Sequence, residues 1–176
     1  MARVCMVGSA LRSVALLGLL AVVSPAQTCL VLSQPVIAAD GTATMDLSLQ
    51  STGKLEPAGL QWTLQYLSSS VTRLTVEDGP KLTEAGKTAV CSGDGSGFTC
   101  LAVGANRRTI PNGVIAVLKA ILVSGANTPA ITIKDAMGVA VDGFLIPISP
   151  KVLPTTRAFL APGCRFRLSA RSPAYK

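Results

Sequence analysis

The sequence has 176 residues, which is enough for one domain and short for two. It contains no histidine. This excludes Ser-His-Asp and Cys-His catalysis and His-ligated zinc, so we expect no enzyme, no metal site and no cofactor. The net charge of +7 is uneven, because residues 27–150 hold eight basic and nine acidic residues, whereas residues 151–176 hold six basic and no acidic ones. A basic domain surface for nucleic acid is therefore not predicted.

Residues 1–26 have the pattern of a secretory signal peptide. Arg3 and Arg12 supply the positive charge, and residues 14–23 form an apolar run that is too short to span a bilayer with margin. Residues 24–26 (SPA) are small and predict cleavage after Ala26; an uncleaved anchor is the alternative. We expect a secreted protein, periplasmic or extracellular, that meets the membrane only through this peptide during export.

Four cysteines remain after the signal peptide is removed, and an exported protein keeps disulfides. Cys91 and Cys100 flank a Gly/Ser-rich connection that lets two strands turn back on each other, so we predict a bridge between them. Cys29 and Cys164 either form a second bridge, which would tie the tail to the first strand, or remain free.

Period-two alternation of apolar and polar residues recurs along the mature chain in short segments separated by turns. Strands are predicted at residues 29–32, 44–50, 60–66, 71–76, 88–91, 98–103, 114–123, 131–133 and 139–148. Residues 114–123 are also long enough for a helix, but their β-branched residues and bounding glycines favour a central strand. Residues 81–85 fit a brief helical turn or an irregular loop.

The segment at 60–66 shows the alternation most clearly. Leu60, Trp62, Leu64 and Tyr66 share one face, so Trp62 is predicted to be buried, while the intervening residues Gln61, Thr63 and Gln65 face solvent.

About nine short strands without βαβ units predict an all-β fold, a two-sheet antiparallel sandwich over residues 27–150. Residues 151–176 lose the alternation and gain prolines. We predict a mobile, basic C-terminal extension that either contacts an acidic surface or is a solvated end.

Three segments in this order resemble the cohesin family. They are residues 59–74 (GLQWTLQYLSSSVTRL), residues 113–118 (GVIAVL) and residues 141–148 (VDGFLIPI), and the similarity covers about residues 30–148. The resemblance implies a nine-stranded jelly-roll sandwich, related to cellulose-binding modules, and a dockerin module as protein partner. Leu67-Ser68 departs from the Asp-Pro of the family, and the cysteine pair suits cohesin-like domains of stand-alone secreted bacterial proteins.

Two binding functions follow from this interpretation. The first is protein–protein docking through a sheet face, with a loop at Asn106, Arg107 and Arg108 as candidate partner-binding residues, because two adjacent arginines can grip a carboxylate. The alternative is a carbohydrate-binding module linked to polysaccharide breakdown, in which Phe98 or Tyr66 would stack on a glycan.

Overall fold

The computed structural model describes residues 27–52, 55–126 and 128–153, which hold ten strands and one short helix. The predicted signal peptide and residues 154–176 of the predicted extension lie outside the described residues. In chain order the strands are β1 (Thr28–Leu32), β2 (Val36–Ile37), β3 (Thr42–Ser51), β4 (Gly59–Tyr66), β5 (Val71–Asp78), β6 (Thr88–Asp94), β7 (Gly97–Val103), β8 (Gly113–Leu122), β9 (Ile131–Val139) and β10 (Leu145–Val152). The helix α1 (Pro80–Glu84) lies between β5 and β6.

The strands form two sheets that share β10. The first sheet has the order β5-β8-β3-β1-β10 with β2 beside β3, and the second has the order β10-β9-β4-β7-β6. Leu145 to Pro147 pair with β9 in the second sheet, and Ile148 to Val152 pair with β1 in the first. The all-β sandwich is therefore confirmed, and β10 passes from one sheet to the other.

One pair of strands departs from the predicted antiparallel arrangement: β1 and β10 are parallel. All other pairs are antiparallel. A parallel pair needs a long connection between its strands, and here nearly the whole domain supplies it. Sequence periodicity does not report which distant strands meet, so this pairing could not be predicted.

The core lies between the inward faces of the two sheets. On β3, Met45, Leu47 and Leu49 are buried while Asp46 is exposed, as the alternation predicts. Trp62 on β4 is fully buried, which confirms its predicted position.

The predicted central strand at 114–123 is confirmed as β8, which pairs with β3 on one side and β5 on the other. Of the two alternatives for residues 81–85, the helical turn is present as part of α1, which begins at Pro80, and Leu82 packs into the core.

The predicted strand at 139–148 is wrong in its bounds. Residues 140–144 form a turn in which Gly143 has a φ of 91° and the Phe144 carbonyl accepts a hydrogen bond from the Ala140 N–H. The left-handed backbone at Gly143 reverses the chain, so that β9 ends before the turn and β10 begins after it. β10 also runs to Val152, two residues past the predicted domain end.

Within the described residues no helix is long and apolar enough to cross a bilayer.

The two-residue strand β2 was not predicted, because it is too short to show alternation.

Candidate docking face

The outward face of the second sheet carries a row of side chains that is apolar except for one glutamine. Val90 on β6 lies opposite Leu101 on β7. Gln61 on β4 separates Leu101 from Met137 on β9, and Pro147 on β10 completes the row. Val90, Leu101 and Met137 are 55%, 43% and 42% exposed. We call the outward surface of β6, β7, β4, β9 and the first half of β10 the docking face.

A second row of the docking face lies at the end of the sheet where β7 and β9 finish. Val103 on β7 lies opposite Thr88, and Val139 on β9 lies opposite both Gly59 and Leu145. Val103 and Leu145 are exposed. The apolar surface is thus two side-chain rows deep.

The other end of the docking face is polar. The hydroxyl oxygens of Thr63 and Thr99 are 3.1 Å apart across β4 and β7, and Asp135 and Ser92 extend this row on either side. Gln65 is exposed beyond it. The face therefore combines an apolar strip with hydrogen-bonding groups, the composition of a protein interface.

The hairpin of β6 and β7 is held from its inner side. The predicted Cys91–Cys100 disulfide is confirmed, with the two Cα atoms 4.0 Å apart, and it joins the residues that follow Val90 and precede Leu101. The Tyr66 hydroxyl donates to the Asp94 carbonyl at 3.1 Å. The disulfide and this hydrogen bond hold the hairpin that carries Val90 and Leu101, two of the four apolar residues of the row.

The carboxylate of Asp94 closes the turn of this hairpin. Its Oδ1 accepts hydrogen bonds from the Ser96 N–H at 3.0 Å, the Ser96 hydroxyl at 3.0 Å and the Gly97 N–H at 3.2 Å. These bonds, the Ser96 N–H first, lower the pKa of the Asp94 carboxyl from its ordinary value of 3.8. Asp94 thus has a local structural task.

The predicted partner-binding loop lies at the apolar end of the docking face. Asn106 holds its backbone: Nδ2 donates to the Gly86 carbonyl and Oδ1 accepts from the Arg108 N–H, both at 2.9 Å. Buried Lys87 donates its Nζ to the Asn106 carbonyl at 3.2 Å. Asn106 therefore positions the loop, while the side chains of Arg107 and Arg108 are exposed.

A shallow depression of about 440 Å³ opens at this same end. It is lined by Glu56, Arg107, Thr109, Ala140, Val141 and Asp142. The Thr109 hydroxyl donates to Glu56 Oε2 at 3.0 Å. The Arg107 side chain is exposed, and neither of the two ion pairs found among the described residues involves it.

The aromatic residues considered for glycan stacking do not present free rings. Tyr66 is buried, and Phe98 packs against the core. Phe144, which sequence reasoning placed inside a strand, is instead 74% exposed in the turn after β9. The Asp-Gly pair before it is the signal that could have located that turn. Within the described part of the chain, no cluster of three or more His, Cys, Asp or Glu residues could hold a metal ion.

Comparison with known proteins gives structural matches alone: no family model and no curated protein matches the sequence. A cohesin of OlpC from Clostridium thermocellum, solved in complex with Doc435, has a TM-score of 0.59 at 14% identity over 73% of this chain and 94% of that one. The fold is that of a cohesin. The sixth cohesin of scaffoldin B from Acetivibrio cellulolyticus, solved with the Cel5 dockerin, gives 0.57 at 15% identity over 72% of this chain and 94% of its own.

A cohesin described as non-cellulosomal, from the archaeon Archaeoglobus fulgidus, matches equally well. Its TM-score is 0.57 at 10% identity, and the match covers 73% of this chain and 92% of that one. The cohesin-like fold predicted from the resemblance is confirmed. At these identities few side chains are shared, so the similarity establishes the backbone fold alone.

Proposed function

We propose that this protein is a secreted, non-catalytic binding module that docks a protein partner on the docking face, at or outside the cell envelope. The observation that carries the proposal is the register-aligned apolar row of Val90, Leu101, Met137 and Pro147. Single exposed apolar residues are normal on a protein surface, but contiguous patches mark interaction sites.

The size of the docking face suits a protein partner. Five strands spaced about 4.8 Å apart and about 23 Å long give roughly 500 Å² in projection. The relief of the side chains and the loops at the apolar end bring this toward the ~800 Å² per partner of a standard interface. Burying the exposed half of each apolar side chain would contribute about 1 kcal/mol per residue.

The partner class we propose is a dockerin-like protein module. The cohesin-like fold supports it, since the OlpC and scaffoldin B cohesins were solved in complex with dockerin partners. Arg107 and Arg108 lie beside the apolar row and favour a partner that carries an acidic side chain. A carboxylate on the partner could bind a guanidinium bidentately there.

Secretion and the absence of catalysis have separate support. The N-terminal pattern is that of an export signal, and the Cys91–Cys100 disulfide is suited to an oxidising compartment. A chain without histidine lacks the side chain best suited to proton transfer near neutral pH.

A capture experiment with two matched variants tests the proposal. Leu101→Glu places a charge in the apolar row, and Ile121→Glu places the same charge on the outward face of the first sheet, where Ile121 is 46% exposed. The mature protein should capture a partner from the secreted fraction of the source cells, and the purified partner should bind at least tenfold more weakly to Leu101→Glu while Ile121→Glu binds like the wild type.

Equal effects of the two variants on the purified partner would contradict the assignment of the face. A glycan array with the same proteins provides the other arm. Glycan binding in the absence of a protein partner would favour the carbohydrate-binding alternative.

A further inference from the structure

Three apolar side chains are exposed to solvent where the chain turns from β9 into β10. Val141, Phe144 and Leu145 are 49%, 74% and 66% exposed. We call these three residues the apolar tip. Turns favour glycine, asparagine, aspartate and serine, so an exposed aromatic residue in this turn departs from the local pattern.

The fold does not account for the Phe144 side chain. Ile146, two residues further on, is buried in the core, whereas Phe144 lies outside it. Only the backbone of Phe144 closes the turn: its carbonyl accepts from the Ala140 N–H at 2.8 Å, and its N–H donates to Asp142 Oδ1 at 3.3 Å. Every residue except proline carries these two groups. A residue that departs from a local pattern without a structural gain is expected at a functional site.

We propose that Phe144 is the anchor residue of the docking interface and inserts into an apolar pocket of the protein partner. The inference rests on the proposed docking function, and it names a feature that the partner must carry. Leu145 pairs with Val139 in the second apolar row of the docking face, so the apolar tip continues that face. A partner that covers the row therefore reaches the tip.

The turn presents Phe144 in a form that suits an anchor. Roughly 150 Å² of its surface is available for burial, whereas the side chains of the apolar row are about half exposed and have less surface left to bury. The hydrogen bonds of the turn and the left-handed backbone at Gly143 hold it in one conformation, so little freedom is lost on binding. Aromatic residues of this kind dominate the energetics of protein interfaces.

The depression beside the turn indicates what surrounds the partner's pocket. Val141 and Asp142 of the turn line it together with Arg107 and Glu56. Groups around the pocket therefore face two carboxylates and one guanidinium. We expect an apolar pocket with a polar rim that carries charges of both signs, which is the usual anatomy of a protein interface.

A lipid surface is a less suitable occupant of the apolar tip. Stable membrane attachment takes two signals, such as an acyl chain together with a basic patch. The two arginines at this end, Arg107 and Arg108, are balanced by the carboxylates of Glu56 and Asp142, so a basic patch does not supplement the single aromatic side chain. A pocket on a protein requires neither signal.

Phe144→Ser tests the anchor, with Val36→Ser as the matched control. Val36 on β2 is 73% exposed, as much as Phe144, but it belongs to the first sheet. Phe144→Ser should bind the purified partner roughly thirtyfold more weakly, mainly through faster dissociation, while Val36→Ser binds like the wild type. Because both side chains are exposed, both variants should melt within about 2 °C of the wild type.

The outcomes separate the anchor from the docking face. If Leu101→Glu weakens binding and Phe144→Ser does not, the docking face stands and the anchor is overturned. If neither variant weakens binding, or if the wild type captures no partner, both proposals are overturned.

Two further measurements identify other occupants of the apolar tip. Sedimentation with vesicles of phosphatidylserine and phosphatidylcholine detects membrane binding, and light scattering of the protein alone detects pairing with a second copy. We expect neither. Membrane binding or self-association that is present in the wild type and lost in Phe144→Ser would overturn the proposal.

Discussion

Replacing Gly79 by alanine is expected to strain the junction between α1 and β8. A Cβ atom at this position would lie 2.5 Å from the Ile115 carbonyl carbon, 2.6 Å from the Val114 oxygen and 2.7 Å from the Ala116 nitrogen. All three are backbone atoms of β8, which is held by strands on both sides, so they cannot rotate away. Gly79 has a φ of −81°, so alanine fits the local backbone, and the effect is purely steric.

The magnitude follows from what must move. Restoring ordinary contacts requires a shift of about 1 Å, which weakens the 2.8 Å hydrogen bond from the Gly79 N–H to the Ile115 carbonyl and lifts the buried Leu82. We expect the free energy of unfolding to fall by about 2–4 kcal/mol. Urea unfolding followed by the fluorescence of Trp62, the single tryptophan of the chain, measures it.

Gly95→Ala is the matched control, because no heavy atom beyond its own chain neighbours lies within 4 Å of its Cβ position. Its free energy of unfolding should stay within about 0.5 kcal/mol of the wild type. The steric reasoning is refuted if Gly79→Ala is equally silent, or if both variants lose the same stability.

Three other predictions concern the hairpin and the core. Replacing Cys91 and Cys100 together by serine should lower the free energy of unfolding by about 2–3 kcal/mol in urea; unchanged stability would show that the bridge constrains nothing. Leu118→Ala, at a fully buried position, should cost about 2–5 kcal/mol, and a loss below about 1 kcal/mol would contradict tight packing there. The lowered pKa of Asp94 means that its turn contributes stability above pH 3.8 that is lost as the pH falls through the folded-state pKa. Ser96→Ala should raise that pKa toward 3.8 in an NMR titration of the carboxyl group, and an unmoved midpoint would exclude the serine hydroxyl as a cause.

Local patterns of the sequence were sufficient for most strands. The alternation from Leu60 to Tyr66 located β4 and its buried face, and the spacing of Cys91 and Cys100 located the hairpin. Both signals depend on residues that are close together in the sequence, so they can be recognised without a structure.

Features that depend on strands far apart in the sequence could not be predicted. The parallel pairing of β1 with β10 and the sharing of β10 between two sheets have no local signature. The docking face was anticipated only through solvent-facing Gln61, Thr63 and Gln65. Its apolar row can be recognised only once the register of the five strands is known. Taken singly in the sequence, Leu101 and Met137 look like ordinary strand residues.

The pairing of the first strand with the last also constrains how the chain folds. Thr28 pairs with Ile148, about 120 residues away in the sequence, so the contact order is high. The entropic cost of closing this long loop opposes the pairing until late in folding. Because β10 belongs to both sheets, neither sheet is complete until residues 145–152 are available. We expect folding on the millisecond-to-second scale, with the final step delayed until residues 145–152 have emerged from the ribosome.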